Sequence, residues 1–333
     1  MTATATGPAG PDAGFDEVTA PLRAELLAHC YRMSGSASDA EDLLQETYLR
    51  AWKAFHRFEG RSSVRTWMYT IATNVCISAS RSRRVLPVGL GGEPANPLEP
   101  VAPSTEVLWL QPLPDRALGD PGEAAVAREG IGLAMVAALQ VLPAKQRAAL
   151  ILRDVLEFSA AETAAALETS VASANSALQR ARASIGDGAA RDGRRAAELD
   201  DHEREVWAEF CAAFERHDID GVVRVLAADA TWEMPPIPGW YRGAEEIGML
   251  SRTQCPAQVA GDLRMIPTVC NGLPAAAMYL RSQAGAGDVW LPFQLDVLTF
   301  TDGALTHVSA FLDPAELFAL AGLPASLGPA DPR

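Results

Sequence analysis

Arginine and aromatic side chains are interspersed between residues 58 and 84, a combination suited to single-stranded nucleic acid. After Glu59 no acidic residue occurs until Glu93, whereas five arginines do: Arg61, Arg65, Arg81, Arg83 and Arg84. Arginine binds phosphates, and rings such as Trp67 and Tyr69 accept unstacked bases. Composition alone leaves open an alternative, in which this stretch is a solvated helix face above an ordinary core.

A second set of polar side chains has the types that read the DNA major groove. Arginine pairs bidentately with guanine, asparagine or glutamine with adenine, and serine binds phosphates or either class of base. A helix over 158–167, a short turn at 168–170 and a helix over 171–182 predict a helix-turn-helix that positions them, although such patterns are often purely structural. The set is Ser173, Asn175, Ser176, Gln179, Arg180 and Arg182.

A third set lies near the C-terminus and favours a ligand pocket over a catalytic centre. Asp296 and His307 are candidate general bases, and three aromatic residues are candidate pocket walls: Trp232, Trp240 and Tyr241. Core packing and a hydrogen-bonded sheet residue are the alternatives for the aromatics and for Asp296. Acid and base do not occur at a diagnostic spacing, so we predict no catalysis.

Cysteine usage predicts a cytosolic protein without a metal or cofactor. The five cysteines form no C-x-x-C pair and have no metal-ligand spacing with the five histidines. We therefore interpret them as reduced thiols. The first residues resemble no signal peptide, and apolar runs are too short to span a membrane, so we predict a cytoplasmic location and no membrane partner.

Two helical patterns in series must position the first set. In the earlier pattern a buried stripe is predicted for Leu44, Tyr48, Ala51, Trp52 and Phe55, opposite a charged face of Asp39, Glu41, Asp42, Gln45, Glu46 and Arg50. The later pattern begins after Ser62 or Ser63, either of which is a suitable N-cap. There the buried stripe is predicted to consist of Val64, Trp67 or Met68, Ile71 and Val75, and the opposite side is predicted to carry Arg65, Tyr69 and Thr73.

Charge is distributed unevenly along the 333 residues. The net charge is −14, but residues 1–195 hold 20 Lys/Arg against 22 Asp/Glu, and residues 196–333 hold 8 against 20. The net charges of the two parts are therefore −2 and −12. The acidity lies in the last part, so the first part remains compatible with DNA.

Composition and periodicity divide the chain into seven segments. We predict a flexible tail at 1–14, a helical domain at 15–86, an acidic linker with eight prolines at 87–123, and a second helical domain at 124–187. A short linker at 188–199, an α+β domain at 200–326 and a tail at 327–333 follow. Within the long linker, the apolar segment 107–115 around Trp109 is predicted to dock on another domain, the alternative being a local hydrophobic cluster.

The first helical domain resembles a known family. Asp39-Ala-Glu-Asp-Leu-Leu-Gln-Glu-Thr-Tyr-Leu-Arg-Ala-Trp52, Phe58-Glu-Gly60 and Val64-Arg-Thr-Trp-Met-Tyr-Thr-Ile-Ala-Thr-Asn-Val75 resemble region 2 of extracytoplasmic-function sigma factors of the sigma-70 family. The resemblance implies that the charged helix binds core RNA polymerase. It further implies that the second helix melts and reads the promoter −10 element, through Arg61, Arg65, Trp67, Tyr69, Thr73, Asn74 and Arg81.

The other two domains extend the resemblance. Leu142-Pro-Ala-Lys-Gln-Arg-Ala-Ala-Leu150 and Asn175-Ser-Ala-Leu-Gln-Arg-Ala-Arg182 resemble sigma region 4, which implies that the groove-reading set binds the −35 element. The segments Ala-Phe-Glu-Arg-His-Asp, Asp229-Ala-Thr-Trp and Gly239-Trp-Tyr-Arg-Gly-Ala-Glu-Glu resemble the SnoaL-like family, in which a curved sheet wraps against helices. The predicted fold is therefore two all-α sigma domains followed by an α+β cone.

Together these observations favour a bacterial sigma factor that is regulated by its C-terminal cone. Its expected partners are core RNA polymerase and promoter DNA; a small-molecule ligand of the cone and an anti-sigma factor are further candidates. Two alternatives remain open from the sequence. One is a ligand-responsive DNA-binding regulator that does not engage polymerase, and the other is a SnoaL-like enzyme fused to a DNA-binding part.

Overall fold

The computed structural model describes residues 11–80, 84–119, 131–185, 193–282, 288–312, 314–329 and 331. Its first part contains four helices: α1 (Pro11–Thr19), α2 (Arg23–Ser34), α3 (Ala37–Phe55) and α4 (Val64–Ala79). Gly35 ends α2 with a φ of 72°, and the side chain of Ser36 accepts a hydrogen bond from the amide of Asp39 at 3.1 Å. Ser36 is therefore the N-cap of α3. The predicted cap at Ser63 is confirmed.

The second part is a compact helical group. It comprises α5 (Leu133–Leu139), α6 (Ala144–Leu150), a π-helical turn (Ile151–Val155), α7 (Ala160–Ala166) and α8 (Val171–Ile185). Ser159 and Glu162 form a reciprocal capping box that fixes the start of α7. Helices α7 and α8 make the predicted helix-turn-helix, in which Leu167 and Leu178 are buried and Val171 is exposed.

The third part packs helices against one mixed sheet. Helices α9 (Asp201–Glu215) and α10 (Ile219–Val225) precede strand β1 (Leu226–Glu233), and β2 (Trp240–Arg242) and α11 (Ala244–Gln254) follow. Strands β3 (Leu263–Cys270), β4 (Leu273–Arg281), β5 (Trp290–Thr301) and β6 (Ala304–Leu312) and helix α12 (Ala315–Leu320) complete it. The strand order is β2-β1-β6-β5-β4-β3, and only the β1–β6 pair is parallel. The predicted α+β cone is confirmed.

Both faces of this sheet are buried, and each belongs to a different core. The inner face, which includes Leu298 and Phe300, packs with α9, α10 and α11. The outer face, which includes Leu295, Val297 and Phe311, joins the cluster that contains the cores of both preceding helical groups. Because side chains alternate along a strand, β5 contributes to both cores at once.

The long linker crosses the molecule between these parts instead of lying free in solvent. It contains two short 3-10 helices, Pro87–Leu90 and Asp115–Leu118. Leu110 and Leu113 are fully buried, and the amide of Gln111 donates to the carbonyl of Gly35 at 3.0 Å. The predicted docking of segment 107–115 is therefore confirmed.

Candidate nucleic-acid interface

One face of α8 presents the whole groove-reading set to solvent. Its buried side consists of Ala174, Ala177, Leu178 and Ala181, which repeat at helical spacing against the rest of the helix-turn-helix. The opposite side carries the six polar residues predicted from the sequence, all of them exposed: Ser173, Asn175, Ser176, Gln179, Arg180 and Arg182. The structure brings these side chains together on one helix surface with the chemistry of base and phosphate recognition.

Arg182 is held in place at the end of this face. Its guanidinium binds Asp154 in two places, with Nη2–Oδ1 at 2.6 Å and Nε–Oδ2 at 3.0 Å. The hydrogen bond and charge of Asp154 raise the pKa of Arg182. Because Asp154 fixes and partly neutralises Arg182, this side chain is better suited to contact the DNA backbone than to bind a base.

Helix α4 and the loop before it carry the other predicted nucleic-acid set. Arg61 is exposed and pairs with Glu59. The guanidinium of Arg65 binds Glu25 at 2.8 Å and lies 4.9 Å from the centre of the Tyr69 ring. Trp67 is half-buried and packs against Phe58, with ring centres 4.9 Å apart. Arg81 lies outside the described residues.

Two members of this set lie inside the protein, so their predicted outward position is wrong. Tyr69 and Thr73 are fully buried. The Tyr69 hydroxyl donates to Glu25 at 3.2 Å, and the Thr73 hydroxyl lies 3.0 Å from Nε2 of His29. Burial lowers the pKa of His29 to about 3, so this imidazole is neutral and is a packed residue, as the sequence suggested.

Contacts with α2 bury both side chains, and the second helical group adds to the burial of Tyr69, because α7 and the residue before its cap lie against α4. The rings of Tyr69 and Phe158 are 5.6 Å apart in an edge-to-face arrangement. Thr66 donates to Glu162 at 3.4 Å, and Asn74 donates to Glu168 at 3.3 Å. One candidate nucleic-acid surface is thus covered by the domain that carries the other.

The charged face of α3 is exposed around Asp42 and Gln45. Its four other members form ion pairs: Glu41 with Arg23 at 2.9 Å, Glu46 with Arg50 at 2.6 Å, and Asp39 with Arg84. Trp52 was predicted in the buried stripe of this helix, and that prediction is wrong. Its exposed fraction is 51%, and that of Leu49 is 46%. Asp42, Gln45, Leu49 and Trp52 follow one another at helical spacing on one exposed face.

A buried cluster joins the two helical groups directly. Arg147 of α6 donates to the carbonyls of Met33 in α2 and of Leu142, the latter at 3.0 Å. Gln140 accepts from Arg147 at 2.6 Å and donates to the carbonyl of Arg32 at 3.3 Å. Burial lowers the pKa of Arg147 to about 10, so it stays charged at neutral pH.

Asn271, in the β3–β4 turn, binds three separate parts of the chain. Its φ is 55° and its side chain is buried. Nδ2 donates to the Tyr31 hydroxyl at 2.9 Å and to the Ile131 carbonyl, and Oδ1 accepts from the Leu113 amide at 2.9 Å. The sequence indicated the Asn271-Gly272 turn but not this role, because nothing local to a turn shows what its side chain meets.

The cone separates the five predicted pocket residues between its two faces. Trp232 lines an internal cavity, and Tyr241 and Asp296 belong to the same inner face. Asp296 is fully buried, and this burial raises its pKa to about 7 although Gln294 donates to it at 2.6 Å.

Trp240 and His307 are on the outer face, so their assignment to the pocket is wrong. Trp240 pairs with Glu233 across β1 and β2, opposite in direction to Trp232. The His307 ring lies 2.6 Å from Thr231, 3.1 Å from Glu233 and 3.0 Å from Ser309. Glu233 also accepts the linker amide of Val88 at 3.0 Å, which makes this cluster a linker attachment.

Two features are absent from the part of the chain that the structure describes. It has no group of three or more His, Cys, Asp or Glu side chains arranged to hold a metal ion. None of its helices combines the length and apolarity of a membrane span.

Comparisons with known proteins agree with this geometry. Three family models match: Sigma-70 region 2 at residues 20–85, Sigma-70 region 4 at 132–185 and a SnoaL-like domain at 207–308. The ECF RNA polymerase sigma factor SigG of Mycobacterium tuberculosis is 51% identical over 318 residues, which cover 94% of this chain and 85% of the relative. SigX of Bacillus subtilis is 34% identical over 44% of this chain and 68% of its own length.

A solved structure shares the overall fold. The crystal structure of the Mycobacterium tuberculosis extracytoplasmic function sigma factor SigJ matches with a TM-score of 0.56 and 23% identity. The match covers 94% of this chain and all of that one. Sequence and fold comparisons therefore agree over nearly the whole length.

Proposed function

Because the chain belongs to the ECF RNA polymerase sigma factors, we propose that its C-terminal cone and its linker regulate how the two sigma domains reach promoter DNA. The sigma-factor function itself follows from family membership, with core RNA polymerase and promoter DNA as partners. The regulation is the new element. Its single strongest support is the packing of α7 against α4, by which the −35 domain covers the −10 helix.

We call this packing, together with the Asn271 contacts, the closed arrangement. A −10 element requires access to α4 and to the side chains around it, and in the closed arrangement region 4 contacts Tyr69, Thr66 and Asn74 of this helix. Asn271 stabilises the state because one turn of the cone binds region 2, the linker and the start of region 4. Opening therefore has to break contacts made by all three domains.

Polymerase binding uses a different surface, which the closed arrangement leaves exposed. We assign it to the face of α3 formed by Asp42, Gln45, Leu49 and Trp52, with Asp39, Glu41, Glu46 and Arg50 beside it. Exposed aromatic and aliphatic side chains bordered by charges are typical of a partner-binding surface. The protein can thus contact polymerase first and expose its −10 helix afterwards.

The remaining assignments are also proposals. The six exposed residues of α8 read the −35 element, and Arg61, Arg65, Trp67, Tyr69, Thr73, Asn74 and Arg81 serve the −10 element once α4 is uncovered. We place the protein in the cytoplasm with its polymerase. We assign Asp296 no catalytic role, because it hydrogen-bonds to Gln294 in a buried sheet. The three family matches fall inside our domain boundaries, which supports those boundaries.

Transcription with purified core RNA polymerase tests this proposal. The start site of a responsive promoter is first mapped after overexpression, and that promoter is then transcribed with the full chain or with a chain that ends after Ile185. We expect both to direct initiation at the mapped site, and the truncated chain to do so more strongly at equal concentration.

The outcomes separate the two parts of the proposal. If adding either protein to core polymerase leaves the choice of start site as it is with core polymerase alone, the sigma-factor function is contradicted. Equal activity of the full and truncated chains would contradict regulation by the cone. Specific promoter binding by the full chain without core enzyme would instead support a conventional DNA-binding regulator.

A further inference from the structure

The cone has a partly open cavity of about 290 Å³ whose wall is largely apolar. This volume is close to the lower end of the usual range for ligand sites, about 300 to 1,000 Å³. The side chains come from α9, β1, α11, β4, β5 and β6, from the loops after β1 and α11, and in one case from the long linker. The principal ones are Val101, Phe214, Trp232, Leu250, Met278 and Phe293.

Two polar groups at this cavity lack partners. Within the described part of the chain, Nε1 of Trp232 and Oδ2 of Asp296 are buried and have no hydrogen-bond partner. Trp232 lines the cavity itself, and Asp296 lies behind Gln294, which lines it. A buried N–H without an acceptor costs free energy, so an acceptor group placed in the cavity would bind favourably.

The linker closes one side of this cavity. Segment 95–104 is attached at both ends by backbone hydrogen bonds, from Ala95 to the Trp240 carbonyl at 2.7 Å and from Ser104 to the Pro236 carbonyl at 2.8 Å. Between them, the carbonyl of Pro97 accepts from Thr253 at 3.0 Å and from Gln254 at 3.4 Å. Val101, in the middle, turns towards the cavity, whereas Leu98 is 62% exposed.

These attachments are few and only partly buried. Each such hydrogen bond contributes little net stability. Segment 95–104 therefore forms one wall of the cavity but is weakly attached. A ligand that contacts Val101 would change the strength of its attachment to the cone. The lining carries no lysine or arginine, and the nearby carboxyl of Asp296 disfavours anions, so a neutral ligand fits best.

We propose that this cavity binds a neutral, largely apolar small molecule with a hydrogen-bond acceptor for Trp232, and that segment 95–104 is the lid of the site. The segment is part of the linker between regions 2 and 4, so occupancy of the cavity reaches the sigma domains through it. This last step rests on the proposed function, whereas the binding site and its lid do not.

The test uses the full chain and the neutral fluorophore prodan, whose single carbonyl is a hydrogen-bond acceptor. We expect saturable binding with a blue-shifted emission. Val101→Asp should weaken the affinity at least tenfold, because it places a charge in an apolar wall. Leu98→Asp, a matched change on the exposed side of the same segment, should alter the affinity less than twofold.

Hydrogen exchange then examines the lid. Saturating prodan should change the exchange rates of the Ala95 and Ser104 amides at least threefold, while the Gln111 amide, bound to region 2, stays as it was. If Val101→Asp unfolds the protein, Ser251→Leu replaces it. The Ser251 hydroxyl donates within α11, to the Ile247 carbonyl at 3.0 Å. A leucine at this position would fill part of the cavity.

Absence of saturable binding, or equal affinity in wild type and in a folded cavity variant, would overturn the site. Binding without any change at Ala95 and Ser104 would overturn the lid. Both measurements omit polymerase and DNA, so a negative result here leaves the transcription experiment unaffected, and failure of that experiment leaves the binding site intact.

Discussion

The side-chain amide of Asn271 lies 2.9 Å from the hydroxyl of Tyr31, although 240 residues separate the two in sequence. The same side chain binds Leu113 and Ile131. A single turn of the cone thus connects region 2, the linker and region 4. Loss of this side chain should loosen all three connections together.

We therefore expect Asn271→Ala to open the closed arrangement and increase transcription with core polymerase. The change leaves buried partners unpaired, at a cost of about 1 to 3 kcal/mol in stability. The matched control is Asp302→Ala in the β5–β6 turn, since Asp302 also has a positive φ, 51°, but is exposed. Both variants carry the same backbone strain, so equal transcription by the two would contradict the role of Asn271.

A covalent link between the sigma domains should have the opposite effect. Asn74 and Glu168 approach within 3.3 Å at accessible positions, so cysteines placed there can be joined by a short bis-maleimide. Background labelling should be low, because four of the five native cysteines are buried. We expect the linked protein to bind core polymerase but to lose at least 90% of its transcription.

The control for that experiment is the same double variant blocked with N-ethylmaleimide, which modifies both sites without joining them. It should retain activity. Full transcription by the linked protein would mean that α4 works while covered by α7, which contradicts the closed arrangement as an inactive state.

Polymerase affinity should depend on Trp52. Its ring is 51% exposed on α3, and exposed tryptophans are frequent binding hot spots. We expect Trp52→Ala to weaken core-polymerase binding by about 2 kcal/mol and to change stability by less than about 0.5 kcal/mol. Leu98→Ala, a change at another exposed apolar side chain, serves as the control in the same co-elution or titration measurement and should bind as wild type.

The buried carboxyl of Asp296 should make the protein less stable as pH rises. Its pKa of about 7 in the folded state exceeds the ordinary value of 3.8. Between these two values the unfolded chain has lost the proton that the folded chain keeps, so the free energy of unfolding falls with increasing pH. The full difference of about three units corresponds to roughly 4 kcal/mol.

Thermal unfolding of wild type and Asp296→Asn at pH 5 and pH 8 measures this effect. Asparagine preserves the acceptor for Gln294 but cannot ionise, so the variant should lose less stability between the two pH values. A wild-type protein that is as stable at pH 8 as at pH 5, or a variant with an unchanged difference, would show that Asp296 does not titrate in this range.

The linker attachment at Glu233 gives a fifth prediction. Its carboxylate accepts from the Val88 amide at 3.0 Å and from the Ser309 hydroxyl at 2.7 Å. Glu233→Ala removes both acceptor oxygens, so the Val88 amide loses its partner. We expect faster hydrogen exchange at Val88 and unchanged exchange at Ser104, which is attached elsewhere. Equal exchange at Val88 in both proteins would contradict the attachment.

Local sequence patterns were sufficient for the elements of this fold. Helical spacing on α3, α4 and α8 and turns such as Asn271-Gly272 depend on neighbours a few residues away, so they can be seen in the sequence. The six residues of α8 were located correctly for the same reason, because the buried side of that helix is rich in alanine.

The wrong predictions share a different cause. Tyr69 and Thr73 are buried because they pack on Glu25 and His29 of α2, and Tyr69 also on Phe158 of the other helical group, which no local period reveals. Trp52 satisfies the spacing of a core residue, but its side chain is exposed on α3. For Trp240 and His307, the face depends on strand register: Trp240 pairs with Glu233, and a bulge interrupts β5–β6 pairing between Thr299 and Phe300.

The outer face of the cone sheet carries a further consequence. Leu295, Val297 and Phe311 are buried in a cluster that includes α12 of the cone and the cores of both helical groups, so the helical groups contribute part of their cover. If the helical groups separated from the cone, this apolar surface would be exposed to water, where it favours self-association. An activated molecule therefore needs a partner that covers the sheet while the sigma domains bind the promoter. RNA polymerase, by covering this surface, would keep the activated protein from aggregating.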